Sequence, residues 1–132
     1  MIQKILVIDD DPINNMLCAY TIKKSFSDSE VCCFEIPHDG LDHVISQYNA
    51  GYTPPPTIVF LDINMPEMDG WGFLDELKKM KSDIKNQFKI YILSSSINPA
   101  DIEKAHANIF VEDFLSKPLN ELILQKVINA NN

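Results

Sequence analysis

Thr57-Ile58-Val59-Phe60-Leu61-Asp62 is the stretch from which the fold can be read. Five residues rich in β-branched and aromatic side chains predict a short strand, and the strand ends on a carboxylate. Before it stands Gly51-Tyr52-Thr53-Pro54-Pro55-Pro56, a stiff loop, because three prolines cannot sit inside a helix or a central strand. Working outward, Lys89–Leu93 (KIYIL) repeats the pattern and Lys4–Ile8 is a continuous apolar run. Val31–Ile36 is a weaker strand candidate, and Asp113–Ser116 is a short fifth.

Helical periodicity fills the gaps. Leu41, Val44, Ile45 and Tyr48 form one stripe, Phe73, Leu74 and Leu77 a second, and Leu119, Leu122, Ile123 and Val127 a third. Ile13, Met16, Leu17 and Tyr20, followed by Ile22 and Phe26, make a broader face, and Ile102, Ala105 and Ile109 a modest one. Asp11-Pro12 and Asn98-Pro99 each read as an N-cap followed by proline at the first helical position. Strand and helix thus alternate through the chain. Continuously apolar strands separated by helices imply an α/β fold, a doubly wound parallel sheet covered on both faces.

The chain has 132 residues, which predicts a single domain over residues 1–132. No apolar run approaches the roughly 20 residues of a membrane span, and the start, Met1-Ile2-Gln3-Lys4, lacks a signal-peptide pattern. Cys18, Cys32 and Cys33 are odd in number and lack metal spacing, so they read as reduced thiols of a cytoplasmic protein. The net charge is −8, and all 11 basic residues are lysines. Without arginine, direct nucleic-acid binding is disfavoured, and the same charge disfavours an anionic membrane surface.

Ligands of open α/β sheets bind beyond the carboxyl ends of the strands. There the chain places Asp9, Asp10 and Asp11 after the first strand and Asp62 after the third. Ser94, Ser95 and Ser96 follow the fourth, and Lys117-Pro118 the fifth. Two like charges about 4 Å apart repel by roughly 1 kcal/mol in water and about 4 kcal/mol at an effective dielectric of 20. A divalent cation relieves that repulsion, and hard oxygen ligands suit Mg²⁺. Metal, ammonium and hydroxyl together fit a phosphoryl group, and a carboxylate there can be the nucleophile.

With these residues in their order, the chain resembles the receiver domains of two-component response regulators, of the chemotaxis type. The resemblance is carried by Ile5-Leu6-Val7-Ile8-Asp9-Asp10, Leu61-Asp62-Ile63-Asn64-Met65-Pro66, Met68-Asp69-Gly70, Ser94 and Lys117-Pro118, and spans essentially the whole chain. It implies a flavodoxin-like five-stranded sheet of order 2-1-3-4-5 with five helices. It implies Asp62 as phospho-acceptor from a histidine kinase or a histidine phosphotransfer protein. Asp10, Asp62 and the Asn64 backbone carbonyl would bind Mg²⁺, with Asp9 acting through water. Ser94 and Phe114 would be the switch pair, Lys117 would contact the phosphoryl group, and Lys117–Pro118 would be cis. Asn64 and Ser96 would influence the dephosphorylation rate. Ser94 directly follows the apolar strand and is favoured over Ser95 as the switch hydroxyl; Phe114 also reads as plain core.

Asp11 reads as an N-cap and Asp69-Gly70 as a turn device. His38, His43 and His106 read as surface or interface residues, and Trp71 as either core or partly exposed. Of Cys32 and Cys33, one is expected to face the core. The segment Lys78–Gln87 is slightly long for the family. The expected function is that of a stand-alone receiver, not an enzyme beyond its own phosphorylation and dephosphorylation. Its output surface would be the fourth and fifth expected helices with the fifth strand (α4-β5-α5 in the expected count), presented to a downstream protein. Rival readings are an interaction module working without phosphorylation and a Mg²⁺-dependent aspartyl-phosphate phosphohydrolase. The second lacks the acid such enzymes carry two residues beyond the nucleophile, where this chain has Asn64.

Overall fold

The computed structural model describes residues 3–132; Met1 and Ile2, which open the expected leaderless start, lie outside the described residues. The strands are β1 (Lys4–Ile8), β2 (Glu30–Phe34), β3 (Thr57–Leu61), β4 (Phe88–Ser94) and β5 (Val111–Ser116). The helices are α1 (Pro12–Ser25), α2 (Pro37–Ala50), α3 (Gly70–Lys78), α4 (Ile84–Gln87), α5 (Pro99–Ala107) and α6 (Glu121–Ala130). All strand pairs are parallel and the order is β2-β1-β3-β4-β5, the expected flavodoxin-like sheet.

Strand alternation splits the core in two. Ile5, Val7, Ile58, Phe60, Tyr91 and Leu93 point to α1 and α6 and pack with Cys18, Ile22, Leu124 and Val127. Leu6, Ile8, Val59, Leu61, Ile90 and Ile92 point to the other face and pack with Val44, Phe73, Leu77 and Ala105. Parallel strands buried on both faces need this double cover.

Several expectations change in detail. The described residues form six helices where five were expected. The added turn, α4, occupies the segment read as slightly long. Buried Ile84 anchors it, the Tyr48 hydroxyl donates to Asp83 Oδ1 at 2.6 Å, and Gln87 Nε2 donates to the Gln47 carbonyl at 2.9 Å. The surface expected from the fourth and fifth helices is therefore α5–β5–α6. Strand β2 stops at Phe34 rather than Ile36, because its partner β1 ends in register there (Ile8 opposite Phe34) and Ile36 becomes the N-cap of α2. Strand β5 starts two residues earlier than expected, at Val111, which pairs with Ile90.

The largest revision concerns α1. Its inner face is Asn15, Cys18 and Ile22, while Ile13, Met16, Leu17 and Tyr20 are all more than half exposed. Asp11 caps the helix by accepting from the Ile13 amide at 3.0 Å, and that fixed start sets which side turns inward. On α6, Leu122 likewise faces out and Leu124 and Ile128 take its place in the core. No helix of the described residues is long and apolar enough to cross a membrane.

Candidate functional site

The sheet's own hydrogen bonds seat the site residues. The Asp62 amide donates to the Ile8 carbonyl at 2.9 Å, and the Asp9 amide to the Phe34 carbonyl at 3.0 Å. The Lys117 amide donates to the Ser94 carbonyl at 2.8 Å. Each bond extends a parallel ladder one step past a strand end. Four separate segments are thereby held at one edge of the sheet.

Asp9, Asp10 and Asp62 each offer a carboxylate oxygen within 4.8 Å of the others. Asp9 and Asp62 are buried and Asp10 is the more open member. Lys117 Nζ donates to Asp9 Oδ2 at 2.6 Å and lies 3.7 Å from Asp62 Oδ2. The ammonium is thus bound to Asp9 and only near Asp62. Asp9 is unusually well supplied with donors. Asn14 Nδ2 reaches Oδ2 at 2.8 Å, the Asp11 amide reaches Oδ1 at 2.9 Å, and Asn15 Nδ2 reaches the backbone carbonyl at 2.9 Å.

Burial, and next the Asp9 charge, push the Asp62 carboxyl up to about 6, against the pull of Lys117 and the Asn64 amide. Burial opposes the Lys117 charge, but the Asp9 hydrogen bond and the Asp62 and Asp9 carboxylates outweigh it and hold the lysine above its usual range. A buried carboxylate group short of positive charge is the donor set a hard divalent cation satisfies, so these residues fit Mg²⁺.

Ser94 is fully buried at the end of β4, whereas Ser95 and Ser96 are exposed. The Ser94 hydroxyl accepts from the Ser96 amide at 3.2 Å and donates to the Ser96 carbonyl at 3.3 Å, closing a local turn. Phe114 is half-buried and packs against the core on the α2–α3–α5 side, compatible with both of its readings. The Lys117–Pro118 bond is cis as expected, and Pro54–Pro55 is a second cis bond that the sequence did not announce. Asn64 presents an exposed side chain, and its amide donates to Asp62 Oδ1 at 3.3 Å.

Asp69 caps α3 by accepting from the Gly72 amide at 2.8 Å. Gly70 lets α3 close onto the loop after β3, since a Cβ there would lie 2.6 Å from the Asp62 carbonyl oxygen. His38 is exposed, His43 stacks on Phe34 with ring centroids 5.2 Å apart, and His106 Nε2 lies 3.7 Å from Asp113 Oδ1. None joins the acidic group. Trp71 is half-buried with Lys104 Nζ 4.6 Å from its ring centroid. Cys32 packs against the core and Cys33 is exposed; all three thiols are free, and burial pushes Cys18 up to about 12. Asn14 and Asn15 were passed over in the sequence, because the apolar spacing of α1 pointed its inner face elsewhere. Two amides one turn after an aspartate pair, behind a capping Asp-Pro, were the available signal.

The comparisons with known proteins agree with this fold. The response regulator receiver domain model matches residues 5–129. A crystal structure of a two-component response regulator from Cytophaga hutchinsonii superposes with a TM-score of 0.87 at 33% identity, covering 97% of this chain and 95% of that one. Response regulator Rcp1 of Synechocystis is 28% identical over 96% of this chain and 84% of its own length. Hybrid signal transduction histidine kinase C of Dictyostelium discoideum is 29% identical over 93% of this chain, which spans only 10% of that protein's length. With the fold, the acidic edge and the family model in agreement, the chain belongs to the response regulator receiver domains of two-component signalling.

Proposed function

We propose that this receiver accepts a phosphoryl group on Asp62 from the phosphohistidine of a histidine kinase or a phosphotransfer protein. The observation that carries the reading is the convergence of the Asp9, Asp10 and Asp62 oxygens within 4.8 Å beside Lys117. An Asp62 oxygen attacks phosphorus, the O–P bond forms as the P–N bond breaks, and its electron pair leaves on the imidazole nitrogen. Bound Mg²⁺, held by Asp10, Asp62 and the Asn64 carbonyl with Asp9 acting through water, would supply positive charge to the phosphoryl oxygens. Lys117 exchanges Asp9 Oδ2 for a phosphoryl oxygen. The Ser94 hydroxyl gives up its bond to the Ser96 carbonyl and donates to the phosphoryl group instead. Attack of water on the acyl phosphate resets the domain, at a rate that the exposed side chains of Asn64 and Ser96 would influence.

The exposed apolar side chains of α1 (Ile13, Met16, Leu17 and Tyr20) start one turn from the acidic pair and suit the docking of the donor protein. Movement of Ser94 opens room for Phe114, and the α5–β5–α6 surface changes its preference for a downstream protein. Driving such a switch from 1:99 to 99:1 takes about 5.5 kcal/mol of differential stabilisation. A dianion newly contacted by Lys117, a hydroxyl and Mg²⁺ is of the right size to provide it.

The test is intact mass after incubation with acetyl phosphate and Mg²⁺, with Asp62→Asn alongside. One added phosphoryl group is expected in the wild type, and none in the variant or without Mg²⁺. Equal phosphorylation of the variant refutes the assignment of Asp62.

A further inference from the structure

Asp9 accepts hydrogen bonds at both its carboxylate and its backbone carbonyl. Its Oδ2 accepts from both Lys117 Nζ and Asn14 Nδ2, at 2.6 Å and 2.8 Å. Its carbonyl accepts from Asn15 Nδ2 at 2.9 Å. We infer that Asn14 and Asn15 are positioning residues that keep Asp9 in place when Lys117 leaves it for the phosphoryl group. The inference rests on the proposed phosphoryl transfer at Asp62 and deepens it.

On the proposed reading Lys117 shifts from Asp9 toward the phosphoryl group on Asp62. With the site empty of phosphoryl it neutralises Asp9, with Asp62 farther away at 3.7 Å. Once it turns to a phosphoryl oxygen, Asp9 Oδ2 loses its charged donor. A buried carboxylate oxygen without a partner is unfavourable and free to rotate. Asn14 supplies a neutral donor to that same oxygen and has no competing task. Being neutral, it holds the carboxylate without cancelling the negative charge that attracts the cation. Outer groups that orient metal-binding carboxylates act in this way.

Asn15 gives independent support. It is 4% exposed, and its Oδ1 is buried without a hydrogen-bond partner among the described residues. One half of this amide is therefore unfavourable to folding while the other half holds the Asp9 backbone. An aliphatic side chain would fill the same space without the orphaned oxygen. Its amide is suited to fixing the β1–α1 junction, and the Cys33 thiol adds a 3.7 Å contact to the Asn15 carbonyl from the edge strand.

The experiment is Mg²⁺ titration by calorimetry, with thermal unfolding in parallel, on wild type, Asn14→Ala, Lys117→Met and the double variant. In the wild-type background Asn14→Ala should weaken Mg²⁺ binding about threefold with little change in melting temperature. In the Lys117→Met background Asn14 is the remaining side-chain donor to Oδ2. The same substitution should then weaken binding about tenfold, the scale of lost outer-shell support. Asn14→Gln, which keeps the amide, should recover most of the affinity. Asn15→Leu removes the orphaned oxygen but also the donor to the Asp9 carbonyl, so it should lower Mg²⁺ affinity with a small fall in melting temperature. A residue that merely supports the helix changes affinity by the same factor in both backgrounds, and that result overturns the inference. Affinities identical to a Mg²⁺-binding wild type in every Asn14 and Asn15 variant also overturn it, leaving the Asp62 reading intact. A wild type that binds no Mg²⁺ and takes no phosphoryl group overturns both.

Discussion

The two sides of this sheet are packed on different terms. On the acceptor side, Ile5 to Ile8 of β1 and Ile58 to Leu61 of β3 are all buried, and α3 sets Phe73, Leu74 and Leu77 into the core. On the far side, no residue of β5 is buried and α5 contributes only Ala105. The polar contacts there are weak as well. Lys89–Glu112 and His106–Asp113 are partly exposed pairs at 3.7 Å, of a kind that contributes about 0–1 kcal/mol each. The proposed phosphoryl site thus has a fixed seat, and the proposed output surface is loosely anchored. The same five-stranded frame provides both by grading burial from its centre to its edge.

Truncation experiments should expose the contrast most strongly. Phe73→Ala, at a fully buried ring, is expected to cost about 3–5 kcal/mol in urea unfolding. Ile102→Ala on α5, half-buried, should cost about 1 kcal/mol. Equal losses would break the comparison.

Next in size is the pH response of the metal-free protein. Asp62 is pushed up to about 6 in the fold, above its ordinary value of 3.8. Its contribution to stability is therefore full below pH 4 and is lost as pH rises through about 6. Melting temperatures in chelator across this range should decline in the wild type. Asp62→Asn should remove that part of the decline and raise stability at neutral pH.

Gly70→Ala should cost about 1–3 kcal/mol, because the new Cβ meets the Asp62 carbonyl oxygen at 2.6 Å and the Ile63 Cα at 2.8 Å. Both are backbone atoms, so relief must move the acceptor loop. Slower phosphorylation by acetyl phosphate should accompany the loss. The smallest effect is expected at the contact between the two sides. Lys104→Ala removes the ammonium 4.6 Å from the Trp71 ring and should cost about 0.5–1 kcal/mol with a shift in Trp71 emission. Lys104→Arg should preserve both.

Much of the acceptor side was legible in advance, since its elements are defined by short-range pattern. Continuous β-branched runs gave β1 and β3, the Asp11-Pro12 cap opened α1, and each carboxylate stood at a strand end. The far side was harder to read. β5 is broken by Glu112 and Asp113, so its start was placed late, and the α4 turn depends on Tyr48 and Gln87 contacts that span 35 and 40 residues. On α1, apolar spacing pointed outward, and the polar Asn15 was the residue turned in.

The sequence alone therefore determined the alternation of strand and helix, the helix starts at capping residues and the identity of the charged groups at the sheet edge, because neighbouring residues decide these. Tertiary structure decided which oxygen each donor reaches. That Lys117 binds Asp9 rather than Asp62 joins residues 108 apart in the chain, and that Asn14 shares the same oxygen depends on how α1 is rotated against the sheet. Hydrogen bonds are selected by differences of about 1 Å, and those differences arise only when several strands end together.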